Sequence, residues 1–183
     1  MSAAPDYIDP LVAWRAWLVV DDEDGARLRS VVFPALWPPG RDLAAECKQR
    51  PRQVLRPWRR SEGHRAPSSA CDCGIYGASR TASAAEYVGR TPLGGRAAQT
   101  VIGYAIGRVR LWGSVVEHKL GWRASHAYPG DLYVPAGPGA EHIALGLAAY
   151  GVPVEILDCS VRGDLLDALT KAATKRVKGG FAR

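Results

Sequence analysis

The chain has 183 residues, 47% of them hydrophobic and 23% charged. That size and balance fit one globular domain whose core needs no disulfide staples. The first ten residues carry Asp6 and Asp9 and lack an apolar stretch, and the longer apolar runs are broken by charge or glycine, so neither a signal peptide nor a membrane-spanning helix is expected and the chain reads as cytoplasmic.

The net charge of +6 is unevenly placed. Lys48 to Arg65 holds seven basic residues and one acid, and Lys171 to Arg183 holds five basic residues and no acid. These two segments sum to +11 and leave −5 for the remainder. Concentrated positive charge is the footprint of a polyanion partner, with a solvated loop and a basic tail as the plain alternative.

In chain order, Trp14 to Val20 is rich in aromatic and β-branched residues and stops at Asp21-Asp22-Glu23-Asp24-Gly25, a turn signal. Arg27 to Phe33 follows as the second strand of an antiparallel hairpin, ended by Pro34. Trp37-Pro38-Pro39-Gly40 predicts a rigid turn, and Asp42 is placed to cap a short helix over Leu43 to Cys47. A long irregular stretch with Pro51, Pro57, Gly63 and Pro67 then leads to Cys71-Asp72-Cys73-Gly74. A loop that long in a small domain is functional, disordered or held by something. Ser83 to Val88 predicts a short helix, and Gly94-Gly95 a break.

Val101 to His118 is the clearest strand. Arg108, Arg110 and Trp112 share one face, and Val109, Leu111 and Val115 the other. Gly113 marks a bulge or a close backbone approach. Lys119-Leu120-Gly121 predicts a hairpin turn, and Trp122 to Tyr128 the returning strand, ended by Pro129-Gly130. Glu141 to Tyr150 reads as a helix stopped by Gly151. Val152 to Leu157 reads as a strand that Pro153 confines to an edge or a strand start. Asp164 is placed to cap a last helix through Thr174, with a basic tail beyond it.

Three constellations carry chemistry. Cys47, His64, Cys71 and Cys73 offer thiolates and an imidazole, the donors tetrahedral zinc prefers, and a metal clip would order a proline-rich loop. Their spacing is no standard finger or ribbon, and small buried thiols are the alternative. Cys159 reads as a buried thiol. Cys73 could instead be a nucleophile with His118 or His126 as base, if the fold brings a histidine to it. On the later hairpin, Arg108, Trp112, Trp122, Arg123 and Tyr128 could hold and stack a planar anionic group, and Arg56, Trp58, Arg59 and Arg60 could add phosphate contacts from the basic loop. Ordinary cross-strand pairing accounts for the hairpin residues as well. There is no G-x-x-x-x-G-K-[ST], G-x-S-x-G or H-E-x-x-H motif, and Gly103 and Gly107 lie within a β region rather than at a strand-to-helix turn.

Cys71-Asp72-Cys73-Gly74-Ile75-Tyr76 resembles the C-x-C-G-I-Y block of a group of uncharacterised, mainly actinobacterial proteins. Gly107 to His118, followed by Gly121-Trp122-Arg123-Ala124 and Ala127-Tyr128-Pro129, is similar to a second block of that group. The resemblance spans roughly Trp14 to Leu157 and implies relatives without implying an activity. A looser likeness is to small PUA-like β-barrels that read nucleic acids.

The expected fold is therefore α+β: one β-rich domain over residues 1–160, a small antiparallel barrel or strongly bent sheet with short peripheral helices, and a basic helix or tail over 161–183. The expected function is a non-enzymatic binding module, for nucleic acid through the basic loop, the tail and the aromatic-basic hairpin, with a structural zinc. The alternatives are a cysteine-dependent enzyme centred on Cys73 and a protein-interaction adaptor with exposed tryptophans.

Overall fold

The computed structural model describes residues 6–47, 64–88, 100–159 and 162–179. Arg56, Trp58, Arg59 and Arg60, and the expected break at Gly94-Gly95, lie outside the described residues.

The opening hairpin forms as its sequence requires. β1 (Asp6–Asp22) and β2 (Gly25–Ser30) pair from Asp22↔Gly25 to Trp17↔Ser30 around the acidic turn. β1 starts earlier than the aromatic run suggests, because its N-terminal part pairs along β5 (Val101–His118). That register slips between Tyr7 and Leu11, where Pro10 lacks the ladder donor. β5 also pairs with β6 (Gly121–Pro129) across the expected turn. Its register shifts between Trp112 and Val115, with Gly113 at φ +75°, and a Cβ there would sit 2.3 Å from the Ser125 hydroxyl. Gly113 therefore both makes a bulge and admits a close side chain.

β4 (Ile75–Ala78) pairs with β6 on one edge and touches β1 at Trp14↔Ala78 on the other. The path β1, β4, β6, β5 and back to β1 thus bends the sheet into a ring. β7 (Leu132–Pro135), not anticipated from the sequence, joins β5 through Ile106↔Tyr133 and pairs in parallel with β8 (Val154–Leu157), which forms an edge as Pro153 predicts.

One expected helix is overturned. Leu43–Ala44 is a short strand, β3, opposite Ala127 and His126 of β6. The pairing edge of β6 outweighs local helix preference there, and Asp42 bonds His126 instead of capping. The other helices form. α1 spans Thr81–Ala85, and α2 spans Ala140–Leu147 with a 3₁₀ turn to Tyr150, ending at Gly151 in the left-handed region (φ +65°). α3 spans Arg162–Gly179 and begins ahead of Asp164, which sits in its first turn rather than at its cap.

Strand alternation divides the core between the two faces of the sheet. Trp17, Val19, Leu28, Leu132 and Val134 pack with Trp37 and with Ile143, Leu147 and Tyr150 of the α2 region. Ala16, Ile106 and Tyr133 face the other way, onto Ala84, Val88, Cys159 and the α3 residues Leu165, Leu169 and Ala172. The first half of α3 is thereby packed on the domain. The chain is α+β and β-rich, a ring-like bent sheet with short helices around it. Among the described residues, no helix is long and apolar enough to cross a membrane.

Candidate metal centre

The site begins with two short strands laid end to end along one edge of β6. β3 leaves that edge opposite Ser125, where Ala45 N–H donates to the Ser125 carbonyl at 2.7 Å. β4 rejoins the same edge at Ile75↔Ala124. The chain between them is an excursion whose ends are neighbours on one strand. Cys47 lies just after the departure and Cys71 and Cys73 just before the return, so residues 24 and 26 positions apart in sequence meet in space.

The cysteine turn is tied down by its backbone. Cys71 N–H donates to the Ser68 carbonyl at 3.1 Å, and the Tyr76 hydroxyl donates to the Asp72 carbonyl at 2.8 Å. Arg123 of β6 is buried and donates from one terminal nitrogen to the carbonyls of Cys71 and Cys73, the latter at 2.9 Å. Its guanidinium also lies over the Tyr76 ring, 5.7 Å from the centroid. Gly74, at φ +120°, lets the chain turn into β4, and a Cβ on it would stand 3.0 Å from Pro67 Cβ and 3.1 Å from Arg123 Cβ.

The donor atoms of Cys47, His64, Cys71 and Cys73 all lie within 4.8 Å of one another. The Cys47 and Cys71 sulfurs are 3.8 Å apart, and His64 Nε2 is 3.1 Å from Cys73 Sγ. No disulfide links the cysteines. Burial, with the neighbouring thiols, pushes Cys73 up to about 11. Burial also acts to raise Cys71, but hydrogen bonds from the Cys73 backbone and thiol and from Cys47 outweigh it and bring the net shift below the ordinary thiol value. Three sulfurs and one imidazole nitrogen in such a cluster are close enough to hold a metal ion. Cys159, by contrast, is buried in the core beside α3, and burial raises its thiol.

The histidines expected as bases for Cys73 are elsewhere occupied or differently placed. His126 Nδ1 is 2.6 Å from an Asp42 carboxylate oxygen, and its ring stacks on Trp112 with centroids 6.1 Å apart. His118 lines the same cavity as Cys73, accepts the Leu120 N–H on Nδ1 at 3.3 Å, and meets the Tyr76 ring edge-on at 5.3 Å. Its Nε2 is buried without a partner, and burial together with Arg123 lowers its pKa. The imidazole that does approach Cys73 is that of His64.

The hairpin residues expected to hold a ligand are engaged in the fold. Arg108 clamps one oxygen of the buried Asp131 carboxylate through Nε at 2.7 Å and one terminal nitrogen, while its backbone N–H donates to the other oxygen at 2.8 Å. Arg123 points its donors at the cysteine turn rather than at solvent. The Tyr128 hydroxyl donates to the Tyr150 carbonyl at 2.9 Å and accepts the Gly40 N–H at 2.8 Å. Trp122 packs on the core and Trp112 against His126. Arg110 alone of the expected basic face is exposed. The four donors are legible in the sequence; what positions them, Arg123 and β3, is not. An arginine opposite Tyr76 gives no sign of direction until β4 is placed.

No protein-family model matches the chain, and neither a curated protein nor a solved structure matches it significantly.

Proposed function

We propose that the chain is a non-enzymatic binding module in which a zinc ion on Cys47, His64, Cys71 and Cys73 closes the base of a basic loop, and that this loop and the basic tail bind nucleic acid. The observation that carries the reading is the convergence of the four donors within 4.8 Å. Tetrahedral zinc with bonds of about 2.3 Å sets thiolates roughly 3.8 Å apart, and the Cys47–Cys71 separation of 3.8 Å fits that spacing. A closed set of three thiolates and one imidazole leaves no open position for substrate, which is the pattern of a structural centre. Two of the ligands, Cys47 and His64, bracket a segment with six basic residues and one acid. Clipping both its ends to the domain would present that charge as one patch.

The enzyme reading has less support. The Cys73 thiol lies against His64, a co-ligand in this reading, His126 is paired with Asp42, and His118, though in the same cavity as Cys73, accepts the Leu120 N–H and packs on Tyr76. The adaptor reading needs exposed tryptophans, and among the described residues every tryptophan is buried or partly buried.

Two measurements test the proposal together. Elemental analysis is expected to find about one zinc per chain, lost in Cys71→Ser and Cys73→Ser. Anisotropy of a labelled oligonucleotide is expected to show affinity that falls steeply with salt, and that weakens when a chelator strips the zinc. A metal-free protein of unchanged stability, or binding that ignores salt, refutes it.

A further inference from the structure

A cavity of about 760 Å³ lies between β1, β3, β4 and α1, within the size range of small-molecule sites. Its wall is mainly apolar and includes Trp14, Val31, Leu43 and Ala84. Two further wall residues, Phe33 and Leu120, are large apolar side chains left 60% and 48% exposed. An exposed apolar patch running into an apolar cavity is unusual on a protein surface without a ligand or partner.

Among the described residues, one cation interrupts this wall. Arg15 of β1 lines the cavity, donating through one terminal nitrogen to the Tyr76 carbonyl and through the other to Ser30 Oγ at 3.0 Å. Its guanidinium lies 5.1 Å from the centre of the Trp37 ring. Its Nε is buried with no acceptor. A guanidinium carries five N–H donors, so the two bonds to Tyr76 and Ser30 leave donor capacity unused. Among the described residues no carboxylate pairs with it, whereas Arg108 has Asp131. Removal from water, opposed in part by Tyr87, pushes the Arg15 guanidinium down to about 10. A cation held this way, without a counter-charge, is complementary to an anion arriving from the cavity.

We propose that this cavity binds a small molecule with an apolar body and a single oxyanion head, the head seated on Arg15. Among the described residues, Glu46, Asp72, Cys73, Tyr76, Tyr87 and His118 are the other ionisable groups along the wall, and the two carboxylates set the limit of one charge. Glu46 and Asp72 line it and are exposed, so a second anionic group would meet like charge there. His118 contributes an imidazole whose pKa is lowered by burial and by Arg123. Cys73 is part of the wall, but no thiol chemistry is involved, and the site stands whether or not nucleic acid binds.

The test uses two fluorescent probes with the same aromatic body, anilinonaphthalene sulfonate and the uncharged phenylnaphthylamine, titrated into the full chain. The sulfonate is expected to bind at one site per chain, about tenfold or more tighter than the neutral probe, from one charge-assisted contact. Arg15→Met should abolish that preference, read as the ratio of the two probes' affinities for the same variant, and Arg15→Lys should retain part of it. Ser83→Trp, which fills the cavity from α1, should weaken both probes about tenfold or more. An undiminished sulfonate preference in Arg15→Met, undiminished binding of both probes to Ser83→Trp, or no binding to the native chain overturns the proposal. If Arg15→Met fails to fold by circular dichroism, Arg15→Lys and Ser83→Trp decide.

Discussion

At the scale of single residues, Arg123 is the least expected finding. Strand alternation places it on the hairpin beside Trp122, and a basic residue next to an aromatic one reads as a ligand contact. Its environment comes from a strand nearly fifty residues earlier. Tyr76 lies opposite it in β4, and the carbonyls of Cys71 and Cys73 fall within reach of its guanidinium. The same limit hid the role of Arg108: its partner Asp131 lies just past the end of β6, and only the β5–β6 register, set by the bulge at Gly113, carries it beside Arg108. The four clustered donor side chains were legible because their chemistry is intrinsic to residue type. The residues that orient them were not, because orientation belongs to the partner strand. Arg123→Met is expected to strand the two carbonyls, cost about 1–3 kcal/mol of stability, and weaken zinc binding by about 10–100-fold, the usual effect of losing an outer-shell support. Competition against a chromophoric chelator measures the affinity, and denaturant unfolding the stability. Unchanged zinc affinity would show that the cysteine turn holds its shape without Arg123.

At the scale of elements, strands with strong alternation and clear turns formed where their sequence put them. The hairpin around Asp22 to Gly25, the long β5, and the β5–β6 turn at Lys119-Leu120 are all of this kind. Two-residue β3 was hidden because Leu43-Ala44-Ala45-Glu46 has helical preference and only the free edge of β6 makes it a strand. That strand matters beyond its length, since it delivers Cys47 to the point where β4 begins. The return leg depends on Gly74. Its φ of +120° is costly for any residue with a Cβ, and such a Cβ would crowd Pro67 and the Cβ of Arg123. Gly74→Ala is therefore expected to cost about 1–3 kcal/mol and to pull Cys73 off its position relative to Cys47. Thermal unfolding should register the loss, and zinc content after dialysis should fall below that of the native chain. A variant with native melting temperature and full zinc would mean that the turn into β4 can be made another way.

At the scale of the whole molecule, the proposed function ties the concentrated positive charge to the Cys/His cluster. The fully buried Trp17, Leu28, Ile106, Tyr133 and Leu169 lie in β1, β2, β5, β7 and α3, outside the excursion between β3 and β4. Zinc would then order the segment between Cys47 and His64 without being needed for the core. The second basic segment hangs from a different anchor, since α3 packs through Leu165, Leu169 and Ala172 on the face opposite α2. Removing the chain after Thr174 takes away Lys175, Arg176, Lys178 and Arg183 and leaves those three packing residues in place. Each phosphate neutralised adds roughly 0.7–0.9 to the slope of log affinity against log salt. If all four cations contact phosphate, truncation is expected to flatten that slope by up to about 3 units with little change in melting temperature. Stripping the zinc should flatten it by a separate amount, because it releases the loop and leaves the tail. The two losses should add if loop and tail contact different phosphates. Titrations of a labelled oligonucleotide at several salt concentrations, on the native, truncated, chelated, and truncated-and-chelated protein, measure all four slopes. A slope insensitive to truncation assigns the contacts to the loop alone, and a slope insensitive to both treatments removes the basic segments from the interface.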